Sequence, residues 1–154
     1  MADFRKLHKM PTARVAMTPF PHAIALEATA DEAWALMLEH GIRHLPVTSN
    51  GQLVGIVTER DLRLVLRPGV GKGEALVRNA YEDEPYVVED DAPLDLVARE
   101  MARRQIGSAL VTRNGKLVGI LTTTDICRLL ADVLNAHFGG GAHPRRTGDD
   151  EASE

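Results

Sequence analysis

The chain has 154 residues, a formal net charge of -4, and only 4% aromatic residues. That length suits one ordinary domain, and the acidic balance with few aromatics argues against broad nucleic-acid binding, which needs a basic face and rings for base stacking. The single cysteine, Cys127, excludes an internal disulfide, and no apolar run approaches the roughly 20 residues that cross a bilayer, so a cytoplasmic protein with no membrane contact is expected.

In chain order, residues 1–14 read as an N-terminal segment without the apolar core of a signal peptide. Residues 22–26 are short and apolar after Pro21 and read as a strand. Thr29 and Glu32 have the spacing of a capping box, and Ala33, Leu36 and Met37 form the stripe of a helix that Gly41 stops. Residues 44–48 and 53–58 read as strands joined through Asn50-Gly51, a strong hairpin signal. A helix then starts near Thr58, buries Leu62, Val65 and Leu66, and ends at Arg67-Pro68-Gly69. Glycine-rich residues 69–76 read as a flexible linker.

The same plan follows again, with strands at 86–88, 108–112 and 116–122, a helix at 94–104, and a last helix from Thr123 to about Leu134. The second hairpin turns on Asn114-Gly115. Residues 136–154, beginning near Gly139-Gly140-Gly141, lack apolar periodicity and are expected to be a disordered tail.

The two halves match without gaps. Ile42 falls on Ile106, Thr48 on Thr112, Asn50-Gly51 on Asn114-Gly115, and Gly55-Ile56-Val57-Thr58-Glu59-Arg60-Asp61 on Gly119-Ile120-Leu121-Thr122-Thr123-Thr124-Asp125. This is a duplicated supersecondary unit. Two copies fold face to face about a pseudo-twofold axis, which creates two equivalent clefts. The expected class is α/β of the α+β type.

An apolar strand ending in Gly-x-x-Thr-x-x-Asp, after Ile42-Arg43-His44-Leu45-Pro46-Val47 and an Asn-Gly hairpin, resembles the CBS domain, named after cystathionine β-synthase. Val15-Ala16-Met17-Thr18-Pro19 resembles the opening of the first motif, while its counterpart Asn79-Ala80-Tyr81-Glu82-Asp83 departs from the pattern. The resemblance implies two β-α-β-β-α motifs, at 15–68 and 77–135, in one disc-like module. It also implies clefts for adenosine-containing ligands such as AMP, ADP, ATP or S-adenosylmethionine, with no obligatory cofactor.

The residues support that expectation by themselves. A helix starting at Thr58 or Thr122 points backbone N–H groups and its positive end at the cleft, which suits phosphate. Asp61 or Asp125, one turn in, can accept from two ribose hydroxyls. Gly55 leaves room for a planar base, and Arg60 offers a phosphate fork that Thr124 does not. The resemblance groups Asp61 and Thr58 with Val87, Ile106 and Gly107, and Asp125 and Thr122 with Ala23, Ile42 and Arg43. His44 is a further cleft candidate.

The plainer alternative is that both Thr-x-x-Asp sets only cap helices. His40 and His44 are four apart, but Gly41 breaks the helix between them, so no metal is expected. Cys127 reads as a buried, inert thiol. No catalytic constellation is visible and no enzyme is expected. The apolar stripe Ile126, Leu129, Leu130, Val133 and Leu134 predicts a homodimer.

Three functions stand at this point. The first is a stand-alone regulatory module that senses an adenosyl ligand and signals to an unidentified protein on another chain. The second is a dimeric scaffold with vestigial clefts. The third is a nucleic-acid-binding module using Arg5, Lys6, Lys9, Arg14, Arg103 and Arg104.

Overall fold

The computed structural model describes residues 9–19 and 21–139. Its elements are α1 (Ala13–Ala16), β1 (Thr18–Pro19), β2 (Ile24–Ala25), α2 (Ala30–His40), β3 (His44–Ser49), β4 (Gln52–Thr58), α3 (Glu59–Val65), a 3₁₀ turn (Val77–Asn79), β5 (Val87–Glu89), α4 (Leu94–Arg104), β6 (Ser108–Arg113), β7 (Lys116–Thr122) and α5 (Thr123–Phe138).

Two sheets carry the fold, ordered β2-β3-β4 and β1-β7-β6-β5. In each, a short strand lies parallel to the first hairpin strand, and the hairpin is antiparallel. The turns follow from their sequence: Asn50 and Gly51 have φ of 50° and 75°, and Asn114 and Gly115 have 51° and 76°. Both central residues are left-handed, as a type I′ turn requires, and this fixes the hairpin register at Ser49–Gln52 and Arg113–Lys116.

Each sheet packs its own helices on one face. The first core holds Ala33, Met37, Leu45, Val57 and Leu62, and the second holds Val97, Met101, Val111 and Leu121. A third cluster of Ile56, Leu110 and Ile120 lies where the two sheets meet. Ile56 and Ile120 are equivalent positions, so the pseudo-twofold axis expected from the repeat runs between them.

The opening segment of each motif docks on the other motif. Ala13 is fully buried in the second core, Ala13 N donates to Ala92 O at 2.9 Å, and Arg14 N donates to Asp90 O at 2.9 Å. In the other half, Val77 is fully buried in the first core, Val77 N donates to Ala28 O at 2.9 Å, and Arg78 N donates to Leu26 O at 3.2 Å. The exchange is register-perfect. Thr18 pairs with Ile120 of β7, and Glu82 bridges Ile56 of β4. The segment 79–83, which departs from the family pattern in sequence, therefore takes the expected backbone place.

Three expectations change. Residues 69–76 are tied to the first unit, since Gly73 N donates to Asp31 Oδ2 at 2.8 Å, Gly71 N to Glu74 Oε2 at 2.8 Å, and Ala75 joins the first core. Helix α3 ends at Val65, because Pro68 pushes Arg67 out of helical geometry and Leu66 has already left it, with ψ 56°. Helix α5 runs through Phe138, so the segment expected to be disordered from residue 136 begins in helix; its remainder from residue 140 lies outside the described residues.

Candidate functional site

Both Thr-x-x-Asp sets are capping boxes. Thr58 Oγ1 accepts from Asp61 N at 3.2 Å, and Asp61 Oδ2 accepts from Thr58 N at 2.9 Å and from Thr58 Oγ1 at 2.7 Å. Thr122 Oγ1 accepts from Asp125 N at 3.3 Å, and Asp125 Oδ2 accepts from Thr122 N and Thr122 Oγ1, both at 2.9 Å. The plain capping role is thus real for both aspartates. It uses only one carboxylate oxygen of each. Asp125 Oδ1 accepts from Thr18 Oγ1 and Arg128 Nη1, both at 3.4 Å, contacts longer than good charge-assisted hydrogen bonds. Asp125 is 9% exposed, and its spare oxygen lies beside two residues that line a cleft.

That cleft has a volume of about 730 Å³. It is built by the strand-to-helix junction of β7 and α5 on one side and by the α2–β3 loop of the first motif on the other. Of the residues expected there, Thr122, Asp125, Ile42, Arg43 and His44 line it together. Helix α5 opens onto it with sixteen residues behind its N-terminus. Helix α3, with seven, has fewer peptide units behind its first turn.

His44 reaches across the module. Its Nε2 lies 2.9 Å from the place where a side chain on Gly107 would begin, so any larger residue there would make the ring shift. Burial pushes the His44 imidazole below its ordinary 6.5; nearby Asp61 pulls it up and Arg43 pushes it down. One histidine therefore lines the Asp125 cleft and feels Asp61.

Several expectations are corrected. Gly107, grouped with Asp61 from the sequence, lines the Asp125 cleft under His44. Ala23 is not among the lining residues; its neighbour His22 is, stacked on His40 with ring centroids 3.7 Å apart. Thr58, Arg60, Asp61, Val87 and Ile106, which the sequence assigns to the other cleft, are not among the residues lining this one; Ile106 packs against the second core, and Val87 is exposed on β5. The space over Gly55 is filled, because the Glu82 carbonyl closes over it and Tyr81 Cδ2 lies 2.6 Å from the position of a Cβ. No planar base fits there. Cys127 is exposed. Among the described residues, no three His, Cys, Asp or Glu side chains are grouped to hold a metal ion, and no helix is long and apolar enough to cross a membrane.

Sequence reasoning missed Thr18, His22 and Arg128 as cleft residues. The repeat register carried a signal for Thr18, since the strand pairing it makes is repeated by Glu82 in the other half. Three arginines of the nucleic-acid reading are engaged in ion pairs. Arg14 is 2.7 Å from Asp90, and Arg103 and Arg104 both bind Glu100, at 2.7 and 2.6 Å; Arg5 and Lys6 lie outside the described residues.

Comparison with known proteins places the fold in a family. The family described as CBS domain matches residues 13–68 and 77–132. The zinc metalloprotease MJ0392 of Methanocaldococcus jannaschii is 31% identical over 134 residues, covering 85% of this chain and 35% of that protein. Protein YlbB of Bacillus subtilis is 35% identical over 124 residues, 77% of this chain and 80% of its own length. The CBS domain pair of protein MJ0100, solved in complex with 5′-methylthioadenosine and S-adenosyl-L-methionine, superposes with a TM-score of 0.70 at 26% identity, covering 80% of this chain and 98% of that one. The chain thus spans about a third of the metalloprotease's length. With both halves matched, the chain belongs to the CBS domain family, as a tandem pair of CBS motifs.

Proposed function

We propose that this chain is a regulatory module that binds an adenosyl ligand, AMP, ADP, ATP or S-adenosylmethionine, in the cleft beside Asp125 and signals its occupancy to a protein partner. The observation that carries the reading is the divided use of the Asp125 carboxylate. Oδ2 holds the α5 cap, while Oδ1 has, among the described residues, two long contacts on the cleft side. A ribose presents two adjacent hydroxyl donors, and that acceptor suits them. The first turn of α5 and the Thr123 and Thr124 hydroxyls stand next to it as phosphate donors. The likeness to a CBS pair solved with two adenosyl compounds supports the same ligand class.

Ligand contacts for Thr122, Asp125, Ile42, Arg43 and His44 follow from this reading, and no catalytic step is assigned to any residue. Signalling requires that the ligand bind one shape of the module more tightly than another. Because the cleft is shared between α5 and the α2–β3 loop, filling it bears on the angle between the two motifs.

Thermal denaturation with each ligand, followed by calorimetry, tests the reading. A ligand at 100 times its dissociation constant stabilises the native state by about 2.7 kcal/mol. Loss of that shift in Asp125→Ala is expected. No shift with any adenosyl compound in the wild-type protein would favour the scaffold reading.

A further inference from the structure

The two clefts are equivalent in backbone, so they differ through their side chains. Around Asp125 stand Thr18, Arg43, His44 and Arg128. The repeat register puts Glu82, Gly107, Ser108 and Leu64 at the same places around Asp61. The strand pairing supports the correspondence, since Thr18 meets Ile120 and Glu82 meets Ile56. Asp83 likewise replaces Pro19, and Glu59 replaces Thr123. Arg60 is the cation that the Asp61 side gains, against Glu59, Glu82 and Asp83.

One cleft therefore adds two arginines and a half-buried imidazole to its carboxylate. By the repeat register the other adds three carboxylates, of which Glu59 is already paired with Arg63, and one arginine, Arg60. The arginines are placed to move: Arg43 reaches Glu59 at 3.5 Å with its side chain 81% exposed, and Arg128 reaches Asp125 at 3.4 Å with its side chain 74% exposed. Such loose, solvated pairs hold little energy, so either guanidinium can turn to a phosphate without breaking a buried contact.

We infer that the Asp125 cleft selects a phosphorylated adenosyl nucleotide over uncharged or sulfonium-bearing adenosyl compounds, and that the Asp61 cleft refuses it, so each chain holds one. This rests on the adenosyl reading above and adds the ligand's charge class and its cleft. AMP brings a dianion to the arginines, 5′-methylthioadenosine brings no charge, and S-adenosylmethionine brings one carboxylate against a sulfonium and an ammonium, a net positive charge that gains less from the arginines than a phosphate does. At the Asp61 side the same dianion meets Glu82 and Asp83. The discrimination is electrostatic and weakens with salt, whose screening length is about 8 Å at physiological ionic strength.

Calorimetry with AMP, 5′-methylthioadenosine and S-adenosylmethionine at low and high salt tests it. The expected result is one AMP per chain, bound at least about tenfold more tightly than either other compound at low salt, with the gap narrowing at high salt. The double variant Arg43→Gln/Arg128→Gln, at two exposed positions, should bring the affinity for AMP down to near that for 5′-methylthioadenosine in the same variant, and should remove the salt dependence of the gap. Asp61→Ala should keep AMP, and Asp125→Asn, which retains a side-chain acceptor for the cap, should lose it. Two AMP per chain, or equal affinity for AMP and 5′-methylthioadenosine, would each overturn the inference while leaving the adenosyl reading intact; loss of AMP in Asp61→Ala with retention in Asp125→Asn would overturn the inference and the placing of the ligand beside Asp125 together. Failure of all three compounds to bind would overturn both.

Discussion

At the scale of single residues, Gly55 and Gly119 show how packing rather than ligand access sets a residue's identity. A Cβ on Gly55 runs into the Glu82 backbone carbonyl, whereas on Gly119 it runs into Met17 Sδ, the far part of a flexible side chain. Gly55→Ala must displace the bridge in which Ile56 N donates to Glu82 O at 3.0 Å and Glu82 N to Ile56 O at 2.8 Å. We predict a loss of about 1–3 kcal/mol for Gly55→Ala, the usual cost of overpacking, and a smaller loss for Gly119→Ala; denaturant titration of both variants measures the difference. His44 makes a second residue-scale prediction. Its native value lies below the unfolded 6.5, so the unfolded chain takes up the proton first. Stability should therefore fall as pH drops from 6.5 towards that lowered native value and be unaffected above 6.5. His44→Gln should flatten the slope in that window, and an unchanged slope would mean that another group causes it.

At the scale of elements, the exchanged opening segments decide how the halves depend on each other. Asp90 is buried at 4% exposure and pins the N-terminal segment to the second unit. The Arg14 hydrogen bond, then Arg113, holds its carboxyl at about 2, below the ordinary 3.8. Arg14 Nε and Arg113 Nε both donate to Asp90 Oδ2 at 2.7 Å. A depressed carboxylate stabilises the native state above its unfolded value, and that contribution is lost as pH falls from 3.8 towards about 2. Asp90→Asn should remove this acid-sensitive contribution and speed amide exchange in α1 and α4 more than in α2. Uniform exchange changes would contradict the exchanged-segment account. The sequence made the duplication, both hairpins and the capping boxes plain, because Asn-Gly turns and Thr-x-x-Asp spacing are local chemistry. It hid α1 and β1, which have four and two residues, too few for any periodicity and defined only by distant partners. For the same reason residues 69–76 read as a loose linker: glycines are visible locally, but the anchoring of Gly73 by Asp31 and the burial of Ala75 are not.

At the scale of the whole molecule, two surfaces remain to act. Helix α5 leaves Leu130 at 54%, Leu134 at 46% and Phe138 at 74% exposure, spaced one turn apart on one face, while Ile126 and Leu129 pack against the second core. We expect this face to pair two copies, so light scattering should give twice the 16.8 kDa chain mass, and Leu130→Glu with Leu134→Glu should halve it; a wild-type monomer at micromolar concentration would contradict the pairing. The second surface is the Asp125 cleft. Its candidate residues were partly legible, since the motif named Thr122 and Asp125, but Arg128 and His22 enter only through the packing of α5 and of the chain after β1 against the α2–β3 loop. The most direct test is a crystal structure of the protein grown with AMP. The account predicts ribose hydroxyls on Asp125 Oδ1, phosphate between the start of α5 and the Arg43 and Arg128 guanidinium groups, and no nucleotide beside Asp61. Nucleotide bound beside Asp61 with the Asp125 cleft empty would contradict it.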